Sequence, residues 1–242
     1  MTKLIIAATT FMLCAGMSWA DIVRMGTEGS YPPYNFINDA GGVDGFEREF
    51  GDELCRRTEM TCEWVTNAWD SIIPNLVSGK YDVIISAMSI TDERDEVIDF
   101  TQNYIPPAPS AYVGLTAGAN IKAGPVAVQT ATIHASYLAK SGTTVLEFAT
   151  ENEAIAAVLS GKAVALLADK DFLTKVAADS NGALTFVGDP IQIGQGIGLG
   201  VRESDSARKT ALDAGIQSMK DDGTLNAMIK KWFGDAAVVF GL

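Results

Sequence analysis

The chain has 242 residues, with 18 Lys and Arg residues against 30 Asp and Glu residues, and its formal net charge is −12. Apolar residues make up 48% of it and charged residues 20%, which is typical of a globular protein and not of a disordered one. A nucleic-acid-binding protein needs clustered Lys and Arg, and this acidic chain has no such cluster. With a single His and three Cys, we expect neither a metal site nor a cofactor.

Residues 1–20 have the three parts of a secretory signal peptide. Lys3 supplies the charged start, an apolar run covers 4–16, and the small residues Ser18 and Ala20 suit a cleavage site. We therefore predict cleavage after Ala20 and a secreted mature protein in an oxidising compartment. A buried N-terminal helix and a lipid anchor on Cys14 are the two alternatives.

Strands and helices alternate along the first half of the chain. Apolar runs and amphipathic patterns predict, in order, a strand at 22–26, a helix at 45–58, a strand at 62–65, a helix capped by Asp70 and stopped by Gly79, and a strand at 82–86. The last strand is a continuous apolar run, which is typical of a sheet covered on both faces. This alternation indicates an α/β fold whose sheet is mixed and mostly parallel, with flanking helices.

Cys55 and Cys62 remain after the predicted cleavage, with six residues between them. In an oxidising compartment this pair favours a structural disulfide, whereas a redox-active pair more often has Cys-x-x-Cys spacing. The bridge would join the end of the predicted helix at 45–58 to the following strand.

The second half of the chain repeats the pattern of the first. A helix end with Ser-Gly-Lys at 78–80 precedes one buried strand, and the same three residues recur 82 positions later, at 160–162, before a second. We therefore predict two similar α/β lobes, although such junctions occur in any α/β domain. Further strands are predicted at 126–128 and 164–167, and terminal helices at 204–222 and 223–233.

Two segments are predicted to connect the lobes. One, at 104–109, holds three of the eight prolines, and the other, at 190–198, is rich in glycine without the spacing of a dinucleotide-binding loop. Two crossings suit a hinge. The predicted division is the signal peptide at 1–20, the first part of lobe 1 at 21–106, lobe 2 at 107–191, and the return crossing with the C-terminal helices of lobe 1 at 192–242.

Polar side chains follow the predicted buried strands, where open α/β sheets bind ligands. Arg94 can give a carboxylate two parallel hydrogen bonds, Asp169 can accept from an ammonium, and Glu28 supplies a second anion. Tyr31 and Trp69 offer flat surfaces to an aliphatic or guanidinium stem. This complementarity predicts an α-amino acid as the ligand. The other candidates from these strand ends are Ser86, Ala87, Met88, Ser89, Gln129, Thr132, Ile133 and His134.

Each principal candidate has a structural alternative. Arg94 could be a solvated helix charge, and Glu28 could simply be exposed after its strand. Asp169 could be a helix N-cap, and Trp69 could belong to the core. His134 could be a hydrogen-bonded residue at a helix start, which we favour over a pH switch.

The residues of several segments resemble the periplasmic solute-binding proteins of amino-acid ABC transporters. The resemblance is closest to the branch that binds lysine, arginine and ornithine, histidine, or opines. Its segments are 26–36, 45–46, 69–76, 80–94, 98–101 and 222–233, and the most specific, at 80–94, reads Lys-Tyr-Asp-Val-Ile-Ile-Ser-Ala-Met-Ser-Ile-Thr-Asp-Glu-Arg. The pair Cys55 and Cys62 matches a disulfide of that branch.

The resemblance implies a monomeric periplasmic protein with the two-lobed type II binding-protein fold. Such a protein closes over one amino acid and presents it to a membrane permease, without catalysis. By match, Arg94 and the region of Thr132 would hold the α-carboxylate, and Asp169 with Ser89 and the backbone near Ala87 would hold the α-ammonium.

By the same match, Tyr31 and Trp69 would sandwich the ligand's side chain, and Glu28 would bind its distal cation. Ile133 replaces a common hydroxyl, and His134 stands where Gln is frequent, so the resemblance leaves the ligand's identity open. A dehydratase acting on prephenate or arogenate with the same fold, and a sensor that docks to a receptor, are the alternative functions.

Overall fold

The computed structural model describes residues 22–241, and within them it contains thirteen β-strands and eight α-helices. The predicted signal peptide and Cys14 lie outside the described residues. The strands are β1 (Ile22–Thr27), β2 (Ser30–Tyr31), β3 (Asn35–Ile37), β4 (Val43–Asp44), β5 (Thr61–Thr66), β6 (Val83–Ile84), β7 (Asp99–Ile105), β8 (Ser110–Gly114), β9 (Val126–Gln129), β10 (Val145–Phe148), β11 (Ala165–Asp169), β12 (Thr185–Ile191) and β13 (Ile197–Val201). The helices are α1 (Phe46–Arg57), α2 (Ile72–Val77), α3 (Asp92–Asp95), α4 (Ile133–Ser141), α5 (Glu151–Leu159), α6 (Lys170–Asp179), α7 (Ser206–Asp221) and α8 (Thr224–Phe233).

Ten of the described strands form two five-stranded sheets of the same topology. The first sheet has the order β5-β1-β6-β13-β7 and the second has the order β10-β9-β11-β8-β12. In each sheet one strand, β13 or β8, is antiparallel to both neighbours, so the other four run in the same direction. The prediction of an α/β fold with mixed, mostly parallel sheets is confirmed.

The repeated Ser-Gly-Lys segments occupy equivalent places in the two sheets. The first follows the end of α2 and precedes β6, and the second follows the end of α5 and precedes β11. Both β6 and β11 are the third strands of their sheets. The weak sequence repeat therefore marks a repeat of structure.

The chain passes between the two sheets twice. β7 ends at Ile105 and β8 begins at Ser110, whereas β12 ends at Ile191 and β13 begins at Ile197. Residues 106–109 and 192–196 therefore make the crossings, inside the two segments predicted for them. After the second crossing, α7 packs against α1 and β7, and α8 packs against α1 and α7. The C-terminal helices thus lie on the first sheet.

The buried face of α1 holds this helix on the first sheet. Phe46, Phe50 and Leu54 are completely buried, as their spacing predicts, and the ring of Phe50 stacks on that of Tyr104 with centroids 4.5 Å apart. Gly45, just before the helix, has φ of +117°, and a Cβ there would lie 2.5 Å from the carbonyl oxygen of Tyr34. The helix therefore enters the fold through a position that only glycine fits.

A disulfide joins the end of α1 to the edge strand of the first sheet. Cys55 and Cys62 are bonded, with Cα atoms 6.2 Å apart, within the usual range for such bridges. The bridge predicted from the spacing of the two residues is confirmed.

Two predictions about the elements are wrong in detail. The strand predicted at 82–86 contains only Val83–Ile84, although the backbone N–H groups of Asp82 and Ile85 still donate to carbonyl oxygens of β1, at 2.9 and 2.8 Å. Asp70 does not cap a helix, because Trp69–Ser71 form a 3₁₀ turn and α2 begins only after it.

Candidate ligand-binding site

The polar ends of parallel strands from both sheets meet at one cavity of about 360 Å³. Glu28 follows β1, Ser86 follows β6, Gln129 ends β9 and Asp169 ends β11. The lining residues are Glu28, Tyr31, Trp69, Ser86, Ala87, Ser89, Arg94, Gln129, Thr132, Ile133, His134, Glu151 and Asp169. This set contains every residue predicted for the site except Met88, and it adds Glu151.

Met88 is the one predicted residue that is not among the lining residues of the cavity. Its side chain is completely buried and packs in a cluster with Ile72, Leu76 and Tyr81. The loop after β6 thus directs Ser86 and the other polar side chain, Ser89, toward the cavity and the apolar one into the core.

The buried carboxylate of Glu47 holds the loop after β6 in place through a hydrogen bond to its backbone. This carboxylate accepts hydrogen bonds from the backbone N–H of Ala87 at 2.6 Å, from Nδ2 of Asn35 at 2.6 Å and from the hydroxyl of Tyr104. Ala87 has φ of +48°, an uncommon left-handed conformation for a residue with a side chain. Burial raises the pKa of Glu47, and the three hydrogen bonds oppose that rise. Glu47 is therefore a positioning residue for the cavity wall.

Arg94 presents a half-buried cation to the cavity. Its guanidinium donates to the carbonyl oxygens of Ser89 at 2.7 Å and of Ala131 at 3.0 Å, and lies 5.4 Å from the ring centroid of Trp69. Burial lowers the pKa of Arg94 to about 10, against the opposite pull of Glu93 and Asp169. No carboxylate of residues 22–241 forms an ion pair with it. The alternative of a solvated helix charge is wrong, and the cation still has N–H donors for an anion.

Asp169, at the end of β11 in the second sheet, contacts Tyr31 of β2, which pairs with β3 and β4 outside the two five-stranded sheets. The Tyr31 hydroxyl donates to Oδ2 of Asp169 at 2.9 Å and accepts from the Asp169 backbone N–H at 3.2 Å. The Tyr31 ring stacks on Phe172, with centroids 4.0 Å apart. Asp169 is the residue before α6, but its side chain makes no capping hydrogen bond, so the N-cap alternative fails. One face of Tyr31 is therefore already covered.

His134 does not form a catalytic relay. It is the second residue of α4 and is buried, with Nε2 2.9 Å from Oγ of Ser110 and 3.6 Å from Oδ1 of Asp169. In a Ser-His-Asp triad the hydroxyl and the carboxylate face different ring nitrogens, whereas here both face Nε2. The arrangement suits a hydrogen-bonded residue at a helix start.

Glu28 reaches across the cavity to the second sheet. Its Oε1 accepts from Nε2 of Gln129 at 2.7 Å, and its backbone N–H donates to Oγ of Ser86 at 2.9 Å. Gln129 also donates to the carbonyl oxygen of Ala149 at 3.1 Å. Burial is the main cause that raises the pKa of Glu28, while the hydrogen bond from Gln129 opposes it. Glu28 is thus not the exposed residue of the alternative interpretation.

Thr132, Ile133 and Trp69 complete the predicted lining. The Thr132 hydroxyl caps α4 by accepting from the N–H of Ala135 at 3.1 Å, and donates to the carbonyl oxygen of Gln129 at 2.7 Å. Trp69 belongs to the core and also lines the cavity, and its Nε1 has no hydrogen-bond partner among the described residues.

Glu151 is the functional candidate that the sequence prediction missed. It is the first residue of α5, only 2% exposed, and its Oε2 has no hydrogen-bond partner in the part of the chain that the structure describes. Burial first, and then the charges of Glu28 and Asp169, raise its pKa well above the ordinary range. The sequence carried no clear signal for it, because an acidic residue is ordinary in the first turn of a helix, although the capping box of Thr150 and Glu153 does not involve Glu151.

Residues 22–241 show neither a membrane-spanning helix nor a metal-binding cluster. None of the helices between residues 22 and 241 combines the length and apolarity that crossing a bilayer requires. Over the same range, no cluster of three or more His, Cys, Asp or Glu side chains is arranged to hold a metal ion.

Comparisons with known proteins match nearly all of the described chain. The family model of the bacterial extracellular solute-binding proteins, family 3, matches residues 23–235. An L-arginine-binding protein of Pseudomonas aeruginosa is 32% identical over 228 residues, or 87% of each chain. A crystal structure of a periplasmic His/Glu/Gln/Arg/opine family-binding protein from Silicibacter pomeroyi, in complex with lysine, is 66% identical with a TM-score of 0.88, over 90% of this chain and 100% of that one.

A third likeness bears on enzymatic activity. An ancestral amino acid-binding protein, described as a precursor of cyclohexadienyl dehydratase, is 26% identical with a TM-score of 0.78, over 88% of this chain and 95% of that one. These likenesses show the two-sheet α/β fold of the periplasmic binding proteins, as the sequence resemblance implied.

Proposed function

Because the chain belongs to the bacterial extracellular solute-binding proteins of family 3, we propose that it captures a polar, basic amino acid or derivative for an ABC importer. The candidates are arginine, ornithine, lysine, histidine and the opines. The observation that carries this proposal is the half-buried Arg94, which has no ion pair among the described residues and faces a cavity lined by three carboxylates.

The cavity's charges complement the two charged groups of an α-amino acid. The guanidinium of Arg94 would hold the α-carboxylate in two parallel hydrogen bonds, with Thr132 nearby. Asp169, together with Ser89 and the backbone near Ala87, would hold the α-ammonium. Charge-assisted hydrogen bonds of this kind contribute about 1.5–3 kcal/mol each.

The ligand's side chain would extend toward Glu28. Tyr31 and Trp69 would flank its stem, and the carboxylate of Glu28 would accept from the distal cation. Ser86, Gln129, Ile133 and His134 would complete the wall. Because Gln129 already donates to Glu28, an incoming cation would compete with a neutral amide for this carboxylate, and the charged donor should win.

We further propose that the two lobes close on the ligand. The lobes would be 21–106 with 192–242, and 107–191, and the ligand would contact both only when they are together. Binding would then shift the population toward the closed form. A monomer would present this closed form to a membrane permease.

The proposed location is the periplasm, after cleavage of the signal peptide behind Ala20. The relatives in this family are periplasmic proteins, and the disulfide between Cys55 and Cys62 suits an oxidising compartment.

We propose binding without catalysis. The two relatives named above from Pseudomonas aeruginosa and Silicibacter pomeroyi are binding proteins, and the Ser110–His134–Asp169 arrangement does not have the geometry of a relay. The dehydratase alternative is tested by incubation with prephenate or arogenate, and formation of phenylpyruvate or phenylalanine would overturn the proposal.

Calorimetry on ligand-stripped protein tests the proposed function. The twenty amino acids and the opines are titrated, and micromolar or tighter binding is expected for at least one basic member. Absence of binding to all of them would refute the proposal. The Glu28→Gln variant should bind basic ligands more weakly and neutral ones equally well, since only a cation needs that charge.

A further inference from the structure

The cavity holds more negative charge than an α-amino acid backbone can use. Glu28, Asp169 and Glu151 line it, whereas Arg94 is its one permanently charged cation among the described residues. If Arg94 binds the ligand's carboxylate and Asp169 its ammonium, two carboxylates remain for the rest of the ligand. A buried carboxylate needs a donor or a counter-charge, because its burial is otherwise costly.

The two remaining carboxylates differ in their surroundings. Glu28 accepts a hydrogen bond from Gln129, whereas Oε2 of Glu151 is buried and has no hydrogen-bond partner among residues 22–241. The acid that serves the capping box of α5 is Glu153, so helix capping does not account for Glu151. Glu151 is therefore the least satisfied acceptor of the cavity wall.

We propose that Glu151 is a specificity-determining residue that, with Glu28, receives the distal cation of a basic amino acid. This inference rests on the proposed function and narrows its ligand class. A guanidinium or ammonium group between these carboxylates would satisfy both. An opine carries a further carboxylate, for which the described lining offers no second permanent cation, so the same surplus of negative charge disfavours opines.

Binding of a cation beside Glu151 should change the protonation of this carboxyl group. The titratable groups that act on Glu151 are Glu28 at the end of β1, Asp169 at the end of β11 and the phenol of Tyr31 on β2. The strands that pack on α5 add no cation, since β9 contributes Gln129 to the wall, and Glu147 of β10 is exposed and accepts from the Thr130 hydroxyl.

Burial and the charges of Glu28 and Asp169 raise the pKa of Glu151 well above its ordinary range, which favours its protonated form in the empty cavity. A cation beside it lowers that pKa again. Binding of a basic ligand should therefore release a proton, and its affinity should rise with pH, whereas a neutral ligand should release none.

The test compares arginine with citrulline, its neutral isostere, by calorimetry in buffers of different ionisation enthalpy. The unaltered protein should bind arginine at least about 10-fold more tightly than citrulline, release a proton only with arginine, and bind octopine more weakly than arginine. In Glu151→Gln the preference for arginine should fall about 10-fold and the proton release should vanish, with citrulline affinity changed less than about 3-fold.

Glu153→Gln is the matched control, because Glu153 lies on the same helix and is exposed, and Gln also serves a capping box. It should leave both the preference and the proton release unchanged.

The failures of the two proposals are distinguishable. If the unaltered protein binds no amino acid, the proposed function falls. If it binds arginine but releases no proton, the role of Glu151 is refuted and the proposed function stands. The same holds if Glu151→Gln lowers the affinities for arginine and citrulline equally, or if it changes neither affinity. Octopine binding as tight as that of arginine would overturn the inference that the negative charge of the cavity disfavours opines. The proton measurement on the unaltered protein needs no variant, so absence of proton release refutes the role of Glu151 even if Glu151→Gln does not fold.

Discussion

At the scale of single residues, Arg94 is held ready for an anion before any ligand arrives. Two backbone carbonyl oxygens, of Ser89 and Ala131, fix its guanidinium, and the ring of Trp69 lies beside it. Carbonyl oxygens carry no full negative charge, so they orient the cation without neutralising it. A ligand carboxylate would thus meet a group whose conformational entropy has already been lost.

Arg94→Lys should lower the affinity for every bound α-amino acid about 100-fold, because an ammonium cannot give the two parallel hydrogen bonds of a guanidinium. Calorimetry measures the loss. The matched control is Arg48→Lys, whose guanidinium also lies 5.4 Å from a Trp ring centroid, that of Trp64, but on the surface and outside the cavity. Unchanged affinity in Arg94→Lys would contradict the proposed carboxylate site.

Glu47→Gln should lower the free energy of unfolding by about 1–3 kcal/mol, because an amide places N–H groups against three donors in a buried site. The affinity for the ligand should also fall, since Ala87 and the loop around it lose their anchor. Urea unfolding and calorimetry measure the two effects. Asp52→Asn, at an exposed position of the same helix, should change stability by less than about 0.5 kcal/mol; an equal loss there would show that the effect is not specific to the buried carboxylate.

At the scale of elements, the site residues at the ends of the buried strands were predictable, because the carboxyl ends of the parallel strands of both sheets face the same cavity. The rule that ligands bind beyond the carboxyl ends of parallel strands led to Glu28, Ser86, Gln129 and Asp169, and these residues line one cavity. The rule works here because a continuous apolar run identifies a buried strand without knowledge of its partners.

The same rule could not predict which side chains of a loop face the cavity, or whether the first residue of a helix is buried in its wall. Met88 and Ser89 are adjacent in the sequence, yet Met88 enters the core, and no periodicity governs a loop whose Ala87 has positive φ. Glu151 follows an edge strand and begins a helix, where an acidic residue is ordinary. Its burial depends on the approach of the other sheet, which is a long-range property.

The disulfide is expected to stabilise the fold through its link between α1 and β5, and to have little effect on ligand binding in the cavity. The double variant Cys55→Ala with Cys62→Ala should lose about 2–3 kcal/mol of stability, because a short closed loop regains freedom in the unfolded chain. Urea unfolding measures this loss. Ligand affinity should change less than about 3-fold, since neither residue lines the cavity. A larger loss of affinity would show that the bridge positions the site.

At the scale of the whole molecule, three pairs of hydrogen-bonded residues already join the part of the chain before the first crossing to the part between the two crossings. They are Tyr31 with Asp169, Gln129 with Glu28, and Arg94 with the carbonyl oxygen of Ala131. The side chains that would hold the ligand thus also hold these two parts together. Ligand binding would exchange some of these contacts for stronger, charged ones.

Tyr31→Phe should open the ligand-free protein, because it removes the hydroxyl that joins β2 to Asp169 at the end of β11 and keeps the ring on Phe172. Small-angle X-ray scattering should give a larger radius of gyration than for the unaltered protein without ligand, and the same radius with saturating ligand. Tyr137→Phe, at an exposed position of α4, should change neither radius. Equal radii of the two ligand-free proteins would refute the contribution of this hydroxyl to closure.

The two crossings also restrict which motions are available to the molecule. Ile105 pairs with Ile197 where they join the first sheet, and Ser110 pairs with Ile191 where they join the second. The connections of four and five residues are therefore held side by side at both of their ends. A single connection would permit the sheets to rotate about its length and to move apart, whereas two connections held side by side resist both motions and favour bending about one axis. Any opening of the cavity should consequently follow a single rotation, and the two walls should return to the same alignment each time they meet.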